Sequence, residues 1–389
     1  MTKATGVYLK PGRDKSVHNR HPWIFSGGVQ FVSPDIRDGD VVSLYSAKGD
    51  RLGVGFYNSQ SQIQVRLISG ARDSVDTMFW NSRLTHCWQK REALRRTTTA
   101  FRVVHGESDG VPGVVIDVFD SVVVLQLSSL GAVRIRQVIL DWIIQTIHPK
   151  SVLERSDSPS LAAEGMTPRH ELCWGNPIVP QTIIESGLTF NVDPENGQKT
   201  GFFLDQRDNR RRVHDIAPAS MLNLFSYSGG FTVAAAVTGS RTVSVDSSAS
   251  ALGMIPTHLS LNGQSSDAHQ CVEADVFDYL RQTQDHYDLV VVDPPALVKR
   301  KSDVDKAARA YKDVNRLSFR QVNPGGMMLS CSCSQFVDWT LFRQILFAAA
   351  VESGRDVQII GQFSQPSDHP VNIFFPEGEY LKTCLLRVF

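Results

Sequence analysis

The chain has 389 residues, with 40 lysines and arginines against 40 aspartates and glutamates; this balance argues mildly against a partner held by bulk positive charge. It is 42% hydrophobic and 21% charged, the make-up of a globular protein of two or three domains, and no apolar run approaches the ~18 residues of a membrane span. The start, Met-Thr-Lys-Ala-Thr-Gly, has no apolar signal core, and six cysteines without framework spacing predict reduced thiols in a cytoplasmic protein. The lone His170-x-x-Cys173 pair lacks a second pair at finger spacing, so no metal site is predicted.

Residues 1–72 read as all-β. Short alternating runs at 41–45, 53–57 and 63–68 are separated by glycine and asparagine turns, a spacing that predicts a small barrel or sandwich. The charged stretch 70–74 reads as a linker, and a helix is expected from Asp76 to Arg96. A turn-rich loop, Gly106 to Gly113, precedes a hairpin of 114–118 and 122–127. Val133, Val138, Ile139, Trp142 and Ile143 then carry helical spacing over 131–147. Residues 73–180 are therefore expected to form a small central α+β domain. Three basic clusters stand out: Lys10 to His21, Lys90 to Arg102, and Arg207 to His214. Such clusters are more often solvated faces than binding patches.

From 181 to 389 the pattern changes to strand–helix alternation, which predicts an α/β, Rossmann-like parallel sheet. Strands are expected at 222–225, 243–246, around Val272, at 289–292 and at 327–330. Ser226 to Gly230 forms the turn after the first, and glycine there lets backbone amides approach a ligand closely. Asp246 and Asp275 close the next two strands, where the first carboxylate can accept ribose hydroxyls. Taken singly, the glycines could serve only a tight turn and each aspartate only a helix cap. Together, at successive strand ends, they predict an adenosine cofactor. The turn lacks the full G-x-G-x-x-G spacing of nicotinamide sites, which leaves S-adenosylmethionine (SAM). A helix over 247–262 is expected, although Gly253 and Pro256 lie inside it and an interior proline costs ~3 kcal/mol.

Gly197-Gln-Lys-Thr-Gly201-Phe-Phe-Leu-Asp205-Gln-Arg207, Asn223 to Phe231, Val245-Asp246, Asp275-Val276-Phe277, Asp293-Pro-Pro295, Tyr311 to Asn315 and Ser332-Cys333-Ser334 together resemble the bacterial 23S rRNA cytosine-5 methyltransferases. His21-Pro-Trp-Ile-Phe-Ser-Gly-Gly28 and Ser108 to Asp117 extend the resemblance over nearly the whole chain. It implies an N-terminal PUA-like RNA-binding domain (1–72), a central domain (73–180) and a class I SAM-dependent methyltransferase domain (181–389). It also implies that Phe225, Ser226, Gly229 and Pro294 line the methionine end of the cofactor, that Asp246 holds the ribose and that Asp275 and Val276 hold the adenine. Asp205 and Arg207 are assigned to the same pocket. The partner implied is 23S rRNA or a large-subunit precursor, and a homodimer is left open. The stretch Ser156 to Ser160 is less basic than its counterpart in the family, so its RNA contacts are expected to differ.

Cys331 and Cys333 lie two apart near one strand end, and Asp293 closes another. A thiolate added at C6 of cytosine makes C5 nucleophilic toward a sulfonium methyl group, and an acid at N3 stabilises the adduct. Cys333 is assigned as nucleophile and Asp293 as N3 partner, with the base flipped out of its stack. Cys331 reads as a small buried hydrophobe. The Asp293-Pro-Pro-Ala-Leu297 segment has no second cysteine, so the base that removes the C5 proton is unassigned. Two other functions fit part of the pattern. One is methylation of a guanine nitrogen, which needs the Asp-Pro-Pro segment but no thiol. The other is an inactive RNA-binding assembly factor, against which the intact Asp246, Asp275, Asp293 and Cys333 argue.

Overall fold

The computed structural model describes residues 4–70, 74–197, 201–298 and 301–389. The expected linker at 70–74 and the Gly197–Gly201 segment therefore fall partly outside the described residues. The chain divides into two compact units, one of residues 1–183, 192–204 and 367–378, the other of residues 184–191, 205–366 and 379–389.

In the first unit, alternating apolar residues between glycine turns give β1 (Val7–Leu9), the short helix α1 (Lys15–His18), β2 (Trp23–Phe25), β3 (Val29–Val32), β4 (Val41–Tyr45), β5 (Arg51–Tyr57) and β6 (Ile63–Gly70). These strands form a six-stranded sheet in the order β2-β6-β5-β4-β1-β3. The chain continues through α2 (Thr77–Lys90), β7 (Ala100–His105), β8 (Val114–Phe119), β9 (Val122–Leu127), α3 (Leu130–Arg134), α4 (Arg136–Ile147), β10 (Ser151–Ser156) and β11 (Arg169–Gly175). A second sheet runs β11-β10-β9-β8-β7. The two sheets share one core: Phe56 of β5 stacks on Trp80 of α2 with ring centroids 5.7 Å apart, among Val54, Ile68, Leu84, Ile116 and Ile139.

Both expected helices of this unit are shorter than the sequence pattern. Asp76 caps α2 by accepting the Phe79 N–H at 2.9 Å, but the helix stops at Lys90. Arg91 leaves helical geometry (φ −93°, ψ 5°) and turns inward. Its guanidinium makes two bonds to Asp109, of 3.0 and 2.6 Å, and its Nε donates to the Arg102 carbonyl. The helix expected over 131–147 breaks at Ile135 (φ −100°, ψ 9°), and Arg136, which opens α4, reaches Glu154 of β10 at 2.6 Å. In both places the break in the helical repeat lies beside an ion pair to a buried carboxylate.

The same pairing draws two members of the second basic cluster inward, while Lys90 and Arg96 stay exposed. Arg91 is buried and Arg102 half-buried, the latter bound to Asp117 at 2.7 and 2.9 Å. The Gly106 to Gly113 loop is pinned from inside by Asp109 and by Glu107, which accepts the Trp23 indole N–H at 2.8 Å and Arg66 at 2.6 Å. Lys10, Arg13, Lys15, His18 and Arg20 of the first cluster are exposed.

Beside this network His105 is half-buried. Its Nδ1 accepts from Arg102 at 3.2 Å, and its ring lies 5.2 Å from that of His369. Burial first, then the charges of Arg102, His369 and Arg91, hold its pKa well below the usual 6.5, with Asp368 opposing. In the unfolded chain the same imidazole gains a proton below about pH 6.5. The unfolded state then binds more protons, so stability falls as the pH drops through that value. We expect the urea midpoint to fall between pH 7.5 and pH 5.5, and to fall less in His105→Gln. An equal fall in both proteins would remove His105 from the account.

β12 (Gln181–Glu185) and β13 (Leu188–Val192) pair as a hairpin. The second unit then alternates helix and strand: α5 (Arg207–Ile216), β14 (Ser220–Leu224), α6 (Gly230–Ala236), β15 (Arg241–Asp246), α7 (Ala249–Leu252), α8 (Ile255–Leu261), β16 (His269–Glu273), α9 (Val276–Gln282), β17 (Tyr287–Val292), α10 (Val304–Arg320), β18 (Val322–Ser332), α11 (Trp339–Ser353), β19 (Val357–Phe363) and β20 (Lys382–Val388). The sheet order is β16-β15-β14-β17-β18-β20-β19. The first five strands are parallel, and β20 runs antiparallel to both β18 and β19. Alternate residues bury on opposite faces: Leu222, Leu224, Val290 and Val292 on one, Met221, Leu289, Val291 and Leu329 on the other, as a sheet covered on both sides requires. Strand order reverses between β14 and β17, so the crevice at their carboxyl ends is where such a sheet binds ligands.

Residues 247–262 form two helices rather than one. Pro256 sits in the first turn of α8, where its missing N–H costs nothing. Among the described residues no helix is long and apolar enough to cross a membrane.

Candidate active site

Register aligns the carboxyl ends of the parallel strands. Leu224 pairs with Val245 and with Val292, and Val292 pairs with Ser330. Phe225, Asp246, Asp293 and Cys331 are therefore each the next residue along neighbouring strands.

The turn after β14 is tightly wound. Phe225 (φ 58°), Tyr227 (φ 46°) and Gly229 (φ 79°) all take positive φ; for the two non-glycine residues this is a strained conformation of the kind held at functional sites. Asp246 clamps the turn, one carboxylate oxygen accepting Tyr227 N–H and the other Ser248 N–H, both at 2.9 Å. A carboxylate has about four acceptor positions, so capacity for two hydroxyls remains. The glycines owe their identity to packing as well as to φ. A Cβ on Gly229 would stand 2.7 Å from the Ile255 side chain, and one on Gly230 would stand 2.8 Å from Arg210 Cδ. Arg210 is itself locked to Glu185 by two 2.6 Å bonds.

Asp275 is exposed and caps α9, its Oδ1 accepting from Phe277 and Asp278. The Val276 side chain belongs to the core, so only its backbone is suited to a ligand. Asp205 is buried and accepts the Tyr380 hydroxyl at 2.9 Å; Arg207 is buried and donates to Asp208 at 3.2 Å. Arg207 and Arg210 are thus internal, which reduces the third basic cluster as a surface patch.

β18 ends at Ser332. Cys331 points into the core with no exposed surface, and burial, followed by the nearby Asp293, pushes its thiol well above the usual range. Cys333, just past the strand end, is half-buried, and its thiol donates to the Pro294 carbonyl at 3.8 Å. The thiol and the Asp293-Pro-Pro segment are therefore adjacent. Asp293 accepts the Gln206 amide at 2.7 Å; Asn209 donates to both Gln206 and Thr383. The segment carrying Cys333 is braced from α10. The Tyr311 hydroxyl meets Ser334 Oγ at 2.9 Å, and Asn315 accepts from Ser330 at 2.6 Å.

Gln206, Asn209, Tyr380 and Lys382 were not singled out by sequence. Gln206 lies inside the Asp205–Arg207 segment, which was the available signal. Lys382 is a lysine heading an otherwise apolar strand.

The residues fit an adenosyl cofactor on one further observation. Ser226 Oγ, at the strained turn, is buried without a hydrogen-bond partner among the described residues. This sheet order, with acids closing successive strands around such a turn, defines a SAM-dependent methyltransferase. Comparison with known proteins agrees. Residues 164–371 match the model of S-adenosylmethionine-dependent methyltransferases, and residues 7–70 match that of PUA-like domains. The chain is 40% identical over 391 residues to ribosomal RNA large subunit methyltransferase I of Aeromonas salmonicida, covering 98% of both proteins, and 40% identical to the protein of that name from Klebsiella pneumoniae, again covering 98% of both. It belongs to the ribosomal RNA large subunit methyltransferase I family. A SAM-dependent methyltransferase from Streptococcus mutans shares the fold (TM-score 0.84, 24% identity, 99% of this chain and 100% of that one). So does a methyltransferase solved with S-adenosylhomocysteine (TM-score 0.85, 24% identity, the same coverage).

Proposed function

We propose that the protein methylates C5 of a cytosine in 23S rRNA, naked or in a large-subunit precursor, in the cytoplasm. The observation that carries this reading is the adjacency of Cys333 to the Asp293-Pro294 backbone at the ends of β18 and β17. Bound SAM supplies an electrophilic methyl group on sulfonium. Cys333 as thiolate adds to C6 of the flipped base, and the displaced C5–C6 electron pair takes the methyl carbon as its bond to sulfur breaks. Transfer of the C5 proton to a base, water included, leaves the C5–H electron pair to re-form the C5–C6 double bond as the C6–S bond breaks and frees Cys333. Asp293, oriented by Gln206, acts as the acid that gives N3 a proton or hydrogen bond while negative charge develops there. Relatives carrying the name rRNA large subunit methyltransferase support the substrate class. The exposed basic residues Lys10, Arg13, Lys15 and Arg20 suit a phosphate backbone.

In this reading Phe225, Ser226, Gly229 and Pro294 flank the methionine end of the cofactor, Asp246 takes the ribose hydroxyls, the Asp275–Val276 backbone takes the adenine, and Asp205 and Arg207 support the pocket wall. Asp246→Ala then removes the ribose acceptor and the clamp on the turn together. Calorimetric affinity for SAM should fall by about 10- to 100-fold, the size of one or two hydrogen bonds to a charged group. An unchanged affinity would remove Asp246 from the ribose site.

The test of the function itself is mass spectrometry of nucleosides from rRNA incubated with the protein and methyl-labelled SAM. Label on 5-methylcytidine is the expected result. Label on a guanosine would replace the reading with nitrogen methylation, and no label on any nucleoside would favour an assembly role.

A further inference from the structure

Lys382 opens β20 opposite Ser332 in the β18–β20 register, one residue from Cys333. It is 2% exposed, an unusual state for a lysine, because burying an ammonium costs several kcal/mol unless opposite charge or hydrogen bonds offset it. Its Nζ donates to the carbonyl of Ser334 at 2.8 Å and to that of Tyr380 at 2.7 Å. Those carbonyls satisfy two of its three N–H groups but carry no full charge. The groups that interact electrostatically with it are Cys333, Glu379 and Asp338; Glu379 already accepts the Trp339 indole at 2.8 Å, and Asp338 caps α11. The groups that interact electrostatically with the thiol include Cys331, Tyr311 and Lys382. Cys331 and Tyr311 are buried, and burial pushes both toward their neutral forms. Of these three groups Lys382 is the cation.

We infer that Lys382 is a positioning residue for the Cys333 thiolate: its ammonium, fixed to the carbonyl of Ser334, supplies the positive charge that holds the neighbouring sulfur as an anion. This inference deepens the proposed reading of Cys333 as nucleophile and rests on it for its catalytic meaning. The chemistry needs such a charge, since an isolated thiol with pKa ~8.5 is only a few per cent ionised at neutral pH. The lysine has the matching property. Burial lowers its pKa to about 8, with Cys333 first among the groups that raise it, so its charge is present at neutral pH and is lost above about pH 8.

The test is the pH profile of Cys333 alkylation by limiting iodoacetamide, quantified on the Cys333 peptide by mass spectrometry, in wild type and Lys382→Gln. Glutamine keeps an N–H donor for a carbonyl and removes the charge. The midpoint should rise by about one pH unit, which slows alkylation at pH 7 about tenfold. A folded Lys382→Gln with an unchanged midpoint overturns the inference, since a purely structural lysine moves the melting temperature and not the thiol titration. Should Lys382→Gln not fold, the wild-type profile decides: a Cys333 midpoint clearly below ~8.5 supports the inference, and one at or above it overturns it. Alkylation reads the thiol whether or not it attacks a base. Failure of this inference is therefore separate from failure of the nucleophile assignment, which Cys333→Ala tests by methylation.

Discussion

Cys333→Ala is expected to abolish formation of 5-methylcytidine, with a rate loss on the order of 10³-fold or more, as removal of a nucleophile generally produces. SAM affinity and melting temperature should stay near wild type, because Cys333 lies past the end of β18 and is half-buried rather than a central core group. The matched control is Cys331→Ala. That side chain is fully buried beside Thr383, so it should cost stability while methylation per folded molecule persists. If the Cys333→Ala protein still labelled rRNA at wild-type rate, the covalent mechanism would fail; persistence of that label on guanosine would point to nitrogen chemistry that needs no thiol.

Asp293→Asn should lower the single-turnover rate by about 10²- to 10⁴-fold, the range for losing a positioned acid–base group, with little change in SAM affinity. Asparagine keeps an acceptor for the Gln206 amide that meets Oδ1 at 2.7 Å, so the side chain should stay in place and the variant isolates the loss of the carboxyl. Trapping with a 5-fluorocytosine-containing RNA sharpens the result. Covalent capture at Cys333 should slow in Asp293→Asn and vanish in Cys333→Ala. A variant within threefold of wild type would remove Asp293 from the chemistry and leave it as a strand-end residue held by Gln206.

These expectations show which parts of the site are local and which are not. The strand ends were legible because a strand buried on both faces is an uninterrupted apolar run, so the first acid or turn after Leu224, Val245 or Val292 marks its end. The sheet class and the SAM-dependent chemistry followed from that spacing and from the family motifs. The two misread helices of the first unit share one cause. Periodicity describes a helix's own face, but the stop at Lys90 and the break at Ile135 are tied to partners far along the chain, Asp109 for Arg91 and Glu154 for Arg136. The basic clusters were ambiguous for the same reason. Arg91, Arg207 and Arg210 count as positive surface in a sequence and lie inside the fold.

By itself the sequence determined the alternation of elements, the acids at strand ends and the two thiols, since each depends on residues adjacent in the chain. Only the tertiary structure decided why Gly229 and Gly230 must lack side chains, that Gln206 meets Asp293 and that Lys382 is buried against the carbonyl of Ser334. Those decisions rest on side chains separated by tens to hundreds of residues that meet only when the sheet closes. Within that low-dielectric interior a charge or an extra methyl group acts strongly on whatever lies beside it, and sequence order carries no record of that neighbour.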